Sequence, residues 1–183
     1  MNPLPERTNA SGCIVWFTGL SAAGKSTLAI ELDGALQSRG VRTGLLDGDR
    51  LRASLCSDLG FSREDREENV RRVYRLAVER ALRGDVVLIA VISPYRGLRD
   101  QLRASSPVSW VEVFVDAPLA VCEQRDPKGL YRRARAGELR GFTGVDDPYE
   151  VPLSPDVHCH TDVETIRQSC AKVLTVLQPW ITR

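Results

Sequence analysis

The stretch GLSAAGKST at residues 19–27 directly follows the apolar run CIVWF at residues 13–17. It satisfies the pattern G-x-x-x-x-G-K-S/T, in which the glycines let the backbone curl so that successive N–H groups point at phosphate oxygens. Such a concave row of N–H groups binds anions. The stretch therefore predicts a phosphate-binding loop and a chain that binds a nucleoside triphosphate.

The two residues that end this pattern carry the chemistry of the loop. Lys25 would reach the β- and γ-phosphates, and the hydroxyl of Ser26 would ligate Mg²⁺. A helix starting near Lys25 would direct the positive end of its dipole at the same anion. The alternative is a glycine-rich turn in an unrelated fold. The strand-like run before the loop and the apolar stripe after it, at Leu28, Leu32, Ala35 and Leu36, argue against that alternative.

Composition narrows the class of protein. The chain has 183 residues, 43% of them hydrophobic and 27% charged, which is ordinary for a soluble globular domain. Its formal net charge of +1 provides no overall field that would attract nucleic acid or an acidic membrane. We expect a cytoplasmic protein without nucleic-acid or membrane partners. A disordered lead-in over residues 1–11 would precede one domain over residues 12–183.

The cysteines and histidines do not predict a metal or redox centre. Five scattered cysteines lack C-x-x-C spacing and are expected to be reduced thiols. The only two histidines stand at positions 158 and 160, and alternating neighbours without a second ligand cluster rarely bind metal. Because the chain has no other histidine, a Ser-His-Asp triad is also disfavoured.

Helix-like and strand-like segments alternate along the chain, which predicts an α/β fold with a doubly wound parallel sheet. Strands are expected over residues 13–18, 43–46, 86–92 and 110–115. Helices are expected from the phosphate loop to about 38 and over about 62–83, 98–104 and 163–177, and Asp116-Ala117-Pro118 is expected to open another helix. The Arg- and Gly-rich stretch 128–140 is predicted to be either a solvated helix or a mobile lid over a phosphate site.

A second group of candidate residues follows the second predicted strand, at Asp47-Gly48-Asp49. Ligands of open α/β sheets bind at the carboxyl edge of the strands. There one carboxylate can orient Mg²⁺ or its water, and another can accept the proton of an acceptor hydroxyl. A polar turn is the alternative. The absence of an acidic residue at the end of the central strand 86–92 favours the functional interpretation.

Several further residues suit an anionic, base-containing ligand. Arginines concentrate in segments after strands, where they can bind phosphate or sulfate, and three or four of them are expected to touch ligand. Phe61 and Phe142 lie in glycine-containing loops, where a base could stack on them, although loop phenylalanines often pack into the core. Ser93 follows the central strand and could bind a phosphate, act as a nucleophile or form a turn.

The chain resembles the adenylylsulfate kinase (APS kinase) family from about residue 12 to residue 155. The matching stretches are IVWFTGLSAAGKST, LLDGDRLR, DLGFSREDREENVRR, VISPYR, EVFVDAPLAVCEQRDPKGLYRRARAGEL and GFTGVDDPYEVP. This family transfers the γ-phosphoryl group of ATP to the 3′-hydroxyl of adenosine 5′-phosphosulfate (APS). The products are ADP and the activated sulfate donor PAPS. The resemblance implies a P-loop fold, Mg²⁺ with ATP, and a homodimer that could associate with an ATP sulfurylase.

The resemblance also implies a role for each matching residue. The ATP phosphates would lie on Gly19, Leu20, Ser21, Ala22, Ala23, Gly24, Lys25, Ser26 and Thr27, with Arg125 on the adenine. APS would lie on Asp49, Arg52, Phe61, Arg66, Asn69, Ile92, Ser93, Lys128 and Phe142. Asp49 would contact the 3′-hydroxyl as a base or orienting group, and the lid at 128–140 would close over both substrates.

Lys25 and Ser93 complete the expected catalytic set with Asp49. The serine matching Ser93 is described as a phosphoenzyme site in some family members, but direct in-line transfer needs no such intermediate. Ser93 is therefore treated first as a binding residue. The loop departs from the common family pattern at Ala22 and Ala23, which contribute backbone N–H groups and should be tolerated.

Three other functions remain as alternatives. The chain could be another P-loop kinase of small molecules, such as a gluconate or nucleotide kinase, which the phenylalanine loops and arginines argue against. It could be a non-catalytic ATP-binding partner of an ATP sulfurylase, which the intact Lys25, Ser26 and Asp49 argue against. A GTPase switch is disfavoured because no N/T-K-x-D guanine signature is present.

Overall fold

A computed structural model describes residues 12–181 of the chain and contains one parallel sheet with helices on both faces. The strands are β1 Cys13–Thr18, β2 Thr43–Asp47, β3 Val86–Ala90, β4 Ser109–Asp116 and β5 Val157–His160. The helices are α1 Lys25–Gln37, α2 Gly48–Arg52, α3 Arg63–Leu82, α4 Arg96–Ala104, α5 Leu119–Arg125, α6 Leu130–Arg135, α7 Ile166–Val176 and α8 Gln178–Ile181. The spatial order of the strands is β2-β3-β1-β4-β5, so β1 is central.

The central strand β1 contributes to two hydrophobic cores because alternate side chains point to opposite faces of a sheet. Cys13, Val15 and Phe17 pack on one face with apolar residues of α1 and α7. Ile14 and Trp16 pack on the other face with apolar residues of α3 and α4. All of β1 is buried, and the expected doubly wound α/β fold is confirmed.

Most element boundaries agree with the sequence prediction. β1 has the predicted bounds, and α3 begins after Ser62, whose hydroxyl accepts a hydrogen bond from Asp65 N at 3.1 Å. β3 ends at Ala90 rather than residue 92, since the chain leaves the sheet before Ser93. The last long helix begins at Ile166 instead of 163, where Thr165 and Gln168 form a capping box.

Three short elements were not predicted, and one predicted segment cannot be compared. The sequence did not indicate the five-residue helix α2, the four-residue edge strand β5 with its alternating burial, or the single turn α8. Part of the expected lid forms α6, whose Tyr131 and Ala134 are buried. The expected disordered lead-in at 1–11 lies outside the described residues. Between residues 12 and 181, no helix combines the length and the apolarity that crossing a membrane requires.

Candidate active site

The phosphate loop joins β1 to α1 and depends on two glycines with positive φ angles. Gly19 has a φ of 150°, and a Cβ there would lie 2.2 Å from the carbonyl oxygen of Val115. Gly24 has a φ of 104° and forms the N-terminal cap of α1. Ala22, one of the two departures from the family pattern, also has a left-handed φ of 58°. For a residue with a side chain this conformation costs about 1–2 kcal/mol.

Lys25 is buried beneath the loop, with 9% of the residue exposed. Its Nζ donates hydrogen bonds to the carbonyl oxygens of Gly19 (3.0 Å) and Leu20 (2.6 Å). Burial lowers the pKa of Lys25 to about 8, and the nearby carboxylates of Asp49 and Asp47 offset only part of that effect. An anion bound at the loop would favour the charged ammonium form.

The hydroxyl of Ser26 contacts a carboxylate at the end of β2, the strand that follows α1 along the chain. Ser26 Oγ donates a hydrogen bond to Asp47 Oδ2 at 2.6 Å, and Asp47 Oδ1 accepts one from the backbone N–H of Asp49 at 3.0 Å. A hydroxyl and a carboxylate at one point form an oxygen donor set of the kind that Mg²⁺ prefers. Residues Ser26 and Asp47 therefore fit the cation that the phosphate loop implies. Asp47 was not among the individual site residues predicted, although the stretch 47–49 was.

Asp49 lies in the first turn of α2 and is paired with Lys128 from across the cleft. Lys128 Nζ donates a hydrogen bond to Asp49 Oδ2. Their side chains are 67% and 51% exposed, and exposed pairs of this kind contribute little to stability. The Asp49 carboxylate is therefore readily available to a ligand that replaces Lys128.

One cleft of about 980 Å³ brings most of the predicted site residues together. The predicted residues that line it are Ser21, Ala22, Gly24, Lys25, Ser26, Thr27, Asp49, Arg52, Phe61, Arg66, Asn69, Ile92, Ser93, Arg125, Lys128 and Phe142. Gly19, Leu20 and Ala23 do not line it. Gly19 packs closely against the Val115 carbonyl, and Ala23 is fully buried behind the loop.

Two arginines and an asparagine form the end of the cleft away from α1. Arg66 donates hydrogen bonds to Phe61 O (3.0 Å), Thr143 Oγ1 (2.5 Å) and Gly141 O. Arg52 donates one to the carbonyl oxygen of Gly60 at 2.6 Å. Burial, followed by the like charge of Arg66, lowers the pKa of Arg52. Two neighbouring guanidinium groups that repel each other are suited to share an anion.

Asn69, which lines the same end of the cleft, has an unpaired polar atom. The residue is 8% exposed. Within the described part of the chain, its side-chain Oδ1 is buried and accepts no hydrogen bond. Buried polar atoms are nearly always paired, so such an atom in a cleft points to a ligand or an ordered water.

The two phenylalanines proposed to hold a base differ in their surroundings. Phe61 is 62% exposed, and the guanidinium carbon of Arg52 lies 4.7 Å from its ring centroid. Phe142 is 8% exposed and packs edge-on against Tyr131, with ring centroids 5.0 Å apart. Only Phe61 exposes most of its ring to an incoming ligand, whereas the ring of Phe142 belongs to the hydrophobic core and little of it is exposed.

Ser93 is buried and its hydroxyl is already engaged. Its Oγ accepts a hydrogen bond from Trp16 Nε1 at 2.9 Å and donates one to Thr18 Oγ1 at 3.2 Å. Its carbonyl accepts one from the buried Arg99 at 2.6 Å, and its φ of 42° is left-handed. A nucleophilic serine needs a base that removes its proton. The Ser93 hydroxyl instead donates its hydrogen bond to the Thr18 hydroxyl, which is not a base.

Arg125 joins the phosphate loop to the residue that follows β5. It donates hydrogen bonds to the carbonyl oxygens of Thr161 (2.6 Å) and Ala22 (3.3 Å), while the Thr161 hydroxyl donates to Ala23 O at 2.6 Å. Thr161 was missed in the sequence because β5, which positions it, was not predicted. It lines the cleft beside Arg125.

Comparison with known proteins gives a consistent result. Residues 11–160 match the family model described as adenylylsulphate kinase. An adenylyl-sulfate kinase of Microcystis aeruginosa is 52% identical over 162 residues, which cover 88% of this chain and 89% of that protein. One from Citrobacter koseri is 53% identical, over 91% of this chain and 83% of its own length.

A solved structure agrees with the sequence relatives. The Mycobacterium tuberculosis APS kinase in complex with AMPPNP and APS superposes with a TM-score of 0.87 and 44% identity. The superposition covers 92% of this chain and 98% of that one.

Proposed function

The chain belongs to the adenylylsulphate kinase family, and from that membership we propose how its own residues carry out the reaction. It is an adenylyl-sulfate kinase, an enzyme that transfers the γ-phosphoryl group of ATP to the 3′-hydroxyl of APS and releases ADP and PAPS. The observation that supports placing the reaction in this cleft is that the cleft contains two chemically different ends. A phosphate loop forms one end, and arginines with an unpaired Asn69 oxygen form the other.

The loop end is assigned to ATP. The N–H groups of the loop would surround the β- and γ-phosphates, and Lys25 would exchange the carbonyl oxygens of Gly19 and Leu20 for phosphate oxygens. Ser26 and Asp47 would hold the Mg²⁺ that accompanies ATP in kinases. Bound there, the ion supplies charge neutralisation on the phosphates. Arg125, fixed by Thr161, is assigned to the adenine of ATP.

The arginine end is assigned to APS. Arg52 and Arg66 would bind the phosphosulfate group, and Asn69 would donate a hydrogen bond from its amide Nδ2 to the same group. The unpaired Oδ1 of Asn69 would accept a hydrogen bond from a donor of the ligand or from a water. Phe61 would stack on the adenine from the open side, while Phe142 would form the opposite wall with Ile92 and Ser93. Lys128 would complete this end after it leaves Asp49, and closure of 128–140 over both substrates is part of the proposal.

Asp49 is assigned to the acceptor hydroxyl. As the 3′-oxygen forms its bond to the γ-phosphorus, the bond from that phosphorus to the β,γ-bridging oxygen breaks and ADP leaves. The proton of the 3′-hydroxyl passes to the Asp49 carboxylate. Because the transition state of phosphoryl transfer is loose, positioning and charge stabilisation by Lys25 and the arginines should supply most of the acceleration.

The assembly of the protein is a separate proposal. A homodimer is implied by the family resemblance, and sedimentation of the purified chain would test it. Association with an ATP sulfurylase has the same basis and would be tested by co-purification of the two proteins.

The test of the function is a turnover assay with Mg²⁺-ATP and four acceptor conditions: APS, adenosine 5′-monophosphate, gluconate and none. Product masses should show PAPS in amounts equal to ADP, with APS alone. ATP binding without transfer to APS would favour the non-catalytic ATP-binding partner. Transfer to another acceptor would favour a different P-loop kinase of small molecules.

A further inference from the structure

The chain's two histidines lie beside an aspartate at the edge of the sheet, and none of the three residues lines the cleft. β5 pairs in parallel with β4, so that Phe114 is opposite His158 and Asp116 is opposite His160. Val157 and Cys159 point into the core, and the two histidines therefore share the opposite, solvent-facing side of the strand. The sequence could not show this third candidate ligand, because Asp116 is more than forty residues away along the chain.

The donor atoms of these three side chains converge. His158 Nε2 lies 2.9 Å and His160 Nδ1 lies 3.7 Å from Asp116 Oδ2. One ligand atom from each of the three residues lies within 4.8 Å of the others. Zinc–ligand bonds of about 2.0–2.1 Å at the tetrahedral angle of about 109° place their donor atoms about 3.3–3.4 Å apart. Small side-chain rotations would bring all three donors within bonding distance of one ion.

The surroundings hold the ligands in place and leave access to solvent. The His158 ring lies against Phe114 with centroids 4.8 Å apart, and the backbone N–H of His160 donates to Glu164 Oε1 at 3.0 Å. The side chains of Asp116, His158 and His160 are 35%, 41% and 49% exposed. The remaining coordination positions of a bound ion are therefore open to water.

We propose that Asp116, His158 and His160 form a surface site for a divalent late transition-metal ion such as Zn²⁺, which ties the edge strand β5 to β4. Two imidazoles and one carboxylate are ligands suited to zinc, nickel and related ions rather than to Mg²⁺. None of the three residues lines the substrate cleft, so this site is distinct from the Mg²⁺ position at Ser26.

The ion would have a structural consequence. β5 has four residues and only β4 as a strand neighbour in the described sheet. The next residue, Thr161, donates a hydrogen bond to the phosphate loop at Ala23 O. An ion that binds the folded chain better than the unfolded one raises its stability by mass action. The melting temperature should therefore rise with Zn²⁺.

Calorimetric titration of the full-length, tag-free chain with ZnCl₂, without nucleotide or Mg²⁺, tests the site. We expect one equivalent to bind. The double variant His158→Asn/His160→Asn should lose this binding, and Asp116→Asn should weaken it about tenfold or more. Asp162→Asn, which removes an exposed carboxylate close by, is the matched control and should bind as the wild type does.

Imidazole NMR signals provide a second measurement that needs no variant. Because the sequence contains only two histidines, both side chains can be followed without ambiguity, and both should shift with one equivalent of Zn²⁺. The melting temperature should rise in the wild type and stay constant in the double variant. Unshifted imidazole signals, or zinc binding that survives in the double variant, would overturn the proposal.

Discussion

The two ends of the cleft are built differently. At the phosphate-loop end, Lys25 is 9% exposed and held by two backbone carbonyls. At the acceptor end, the Asp49 side chain is 67% exposed and Phe61 is 62% exposed. The loop end is thus preformed by the core, whereas the acceptor end needs a ligand to complete it.

The topology explains this difference. The phosphate loop connects β1 and α1, and residues of both are fully buried in the hydrophobic core. At the acceptor end, Asp49 and Arg52 lie on α2, which has no buried residue, and the exposed Phe61 lies on the loop that follows it. Arg66 lies in the first turns of α3. Hydrogen bonds of Arg66 with Phe61 O and Gly141 O join the loop at residue 61 to the loop at residue 141. The triphosphate position is therefore supported by the apolar core, whereas Asp49 and Phe61 on the acceptor side are largely exposed.

Replacing Asp49 with Asn should have the largest effect on turnover with the least effect on the loop end. Loss of the proton acceptor is expected to slow turnover roughly 10²- to 10⁴-fold. The affinity for ATP should stay near normal, because the Asp49 side chain forms its hydrogen bond with Lys128, whereas Ser26 forms its hydrogen bond with Asp47. Steady-state kinetics and ATP titration measure the two quantities.

The matched control for this variant is Asp100→Asn, which changes an exposed carboxylate on α4 outside the cleft. It should leave turnover and ATP affinity unchanged. Unchanged turnover in Asp49→Asn would refute a catalytic role for Asp49. A parallel loss of ATP affinity would mean that the two ends of the cleft are not separable.

Removing the Arg66 guanidinium should disturb only the acceptor end. Arg66→Ala loses the ligand contact and the hydrogen bonds that join the loop at 61 to the loop at 141–143. Hydrogen bonds to charged groups contribute about 1.5–3 kcal/mol, so KM for APS should rise roughly 10- to 100-fold. KM for ATP should change little. Arg75→Ala, which removes an exposed arginine of the same helix, should leave both values unchanged.

The difference between the phosphate-loop end and the acceptor end also explains which parts of the site the sequence could predict. The phosphate loop is one contiguous pattern with a fixed spacing, so its residues and its position after β1 were predictable. The contact of Ser26 with Asp47 depends on the lateral order of the strands, and that of Lys128 with Asp49 joins residues seventy-nine positions apart. Such contacts follow from tertiary packing, which local patterns do not encode.

Prediction from the sequence also failed for one element of the fold, the edge strand β5. β5 was not predicted because a strand of four residues, VHCH, gives too little alternation to distinguish it from a loop. Missing it also hid Thr161, which β5 places beside the phosphate loop. The buried strands β1 and β3 are continuous apolar runs and were predictable for that reason.

The burial of Lys25 at the phosphate-loop end should make ATP binding depend on pH. Burial lowers the pKa of Lys25 to about 8 in the free chain, and the phosphates favour its charged form. Above pH 8, binding must therefore take up a proton, and Kd for ATP should rise about tenfold per pH unit, whereas it should be flat below pH 8. Calorimetry in buffers of different ionisation enthalpy measures this proton uptake directly.

The control for that experiment is Lys25→Arg. A guanidinium stays charged throughout this pH range, so the slope above pH 8 should disappear even if the affinity is lower. If the variant keeps the wild-type slope, another group titrates and Lys25 is not the source of the pH dependence.

Ser93 is buried, unlike the exposed Asp49 and Phe61, and its replacement should have the smallest effect on turnover. In Ser93→Ala, Trp16 Nε1 loses its acceptor and Thr18 loses a donor, which should lower the free energy of unfolding by about 1–3 kcal/mol. Turnover should stay within a few-fold of the wild type, since direct transfer from ATP to APS passes no phosphate through this hydroxyl. The exposed Ser38→Ala is the control for stability. A turnover loss above about 10²-fold in a folded Ser93→Ala, together with a phosphorylated Ser93 in the wild type, would replace direct transfer by a two-step reaction.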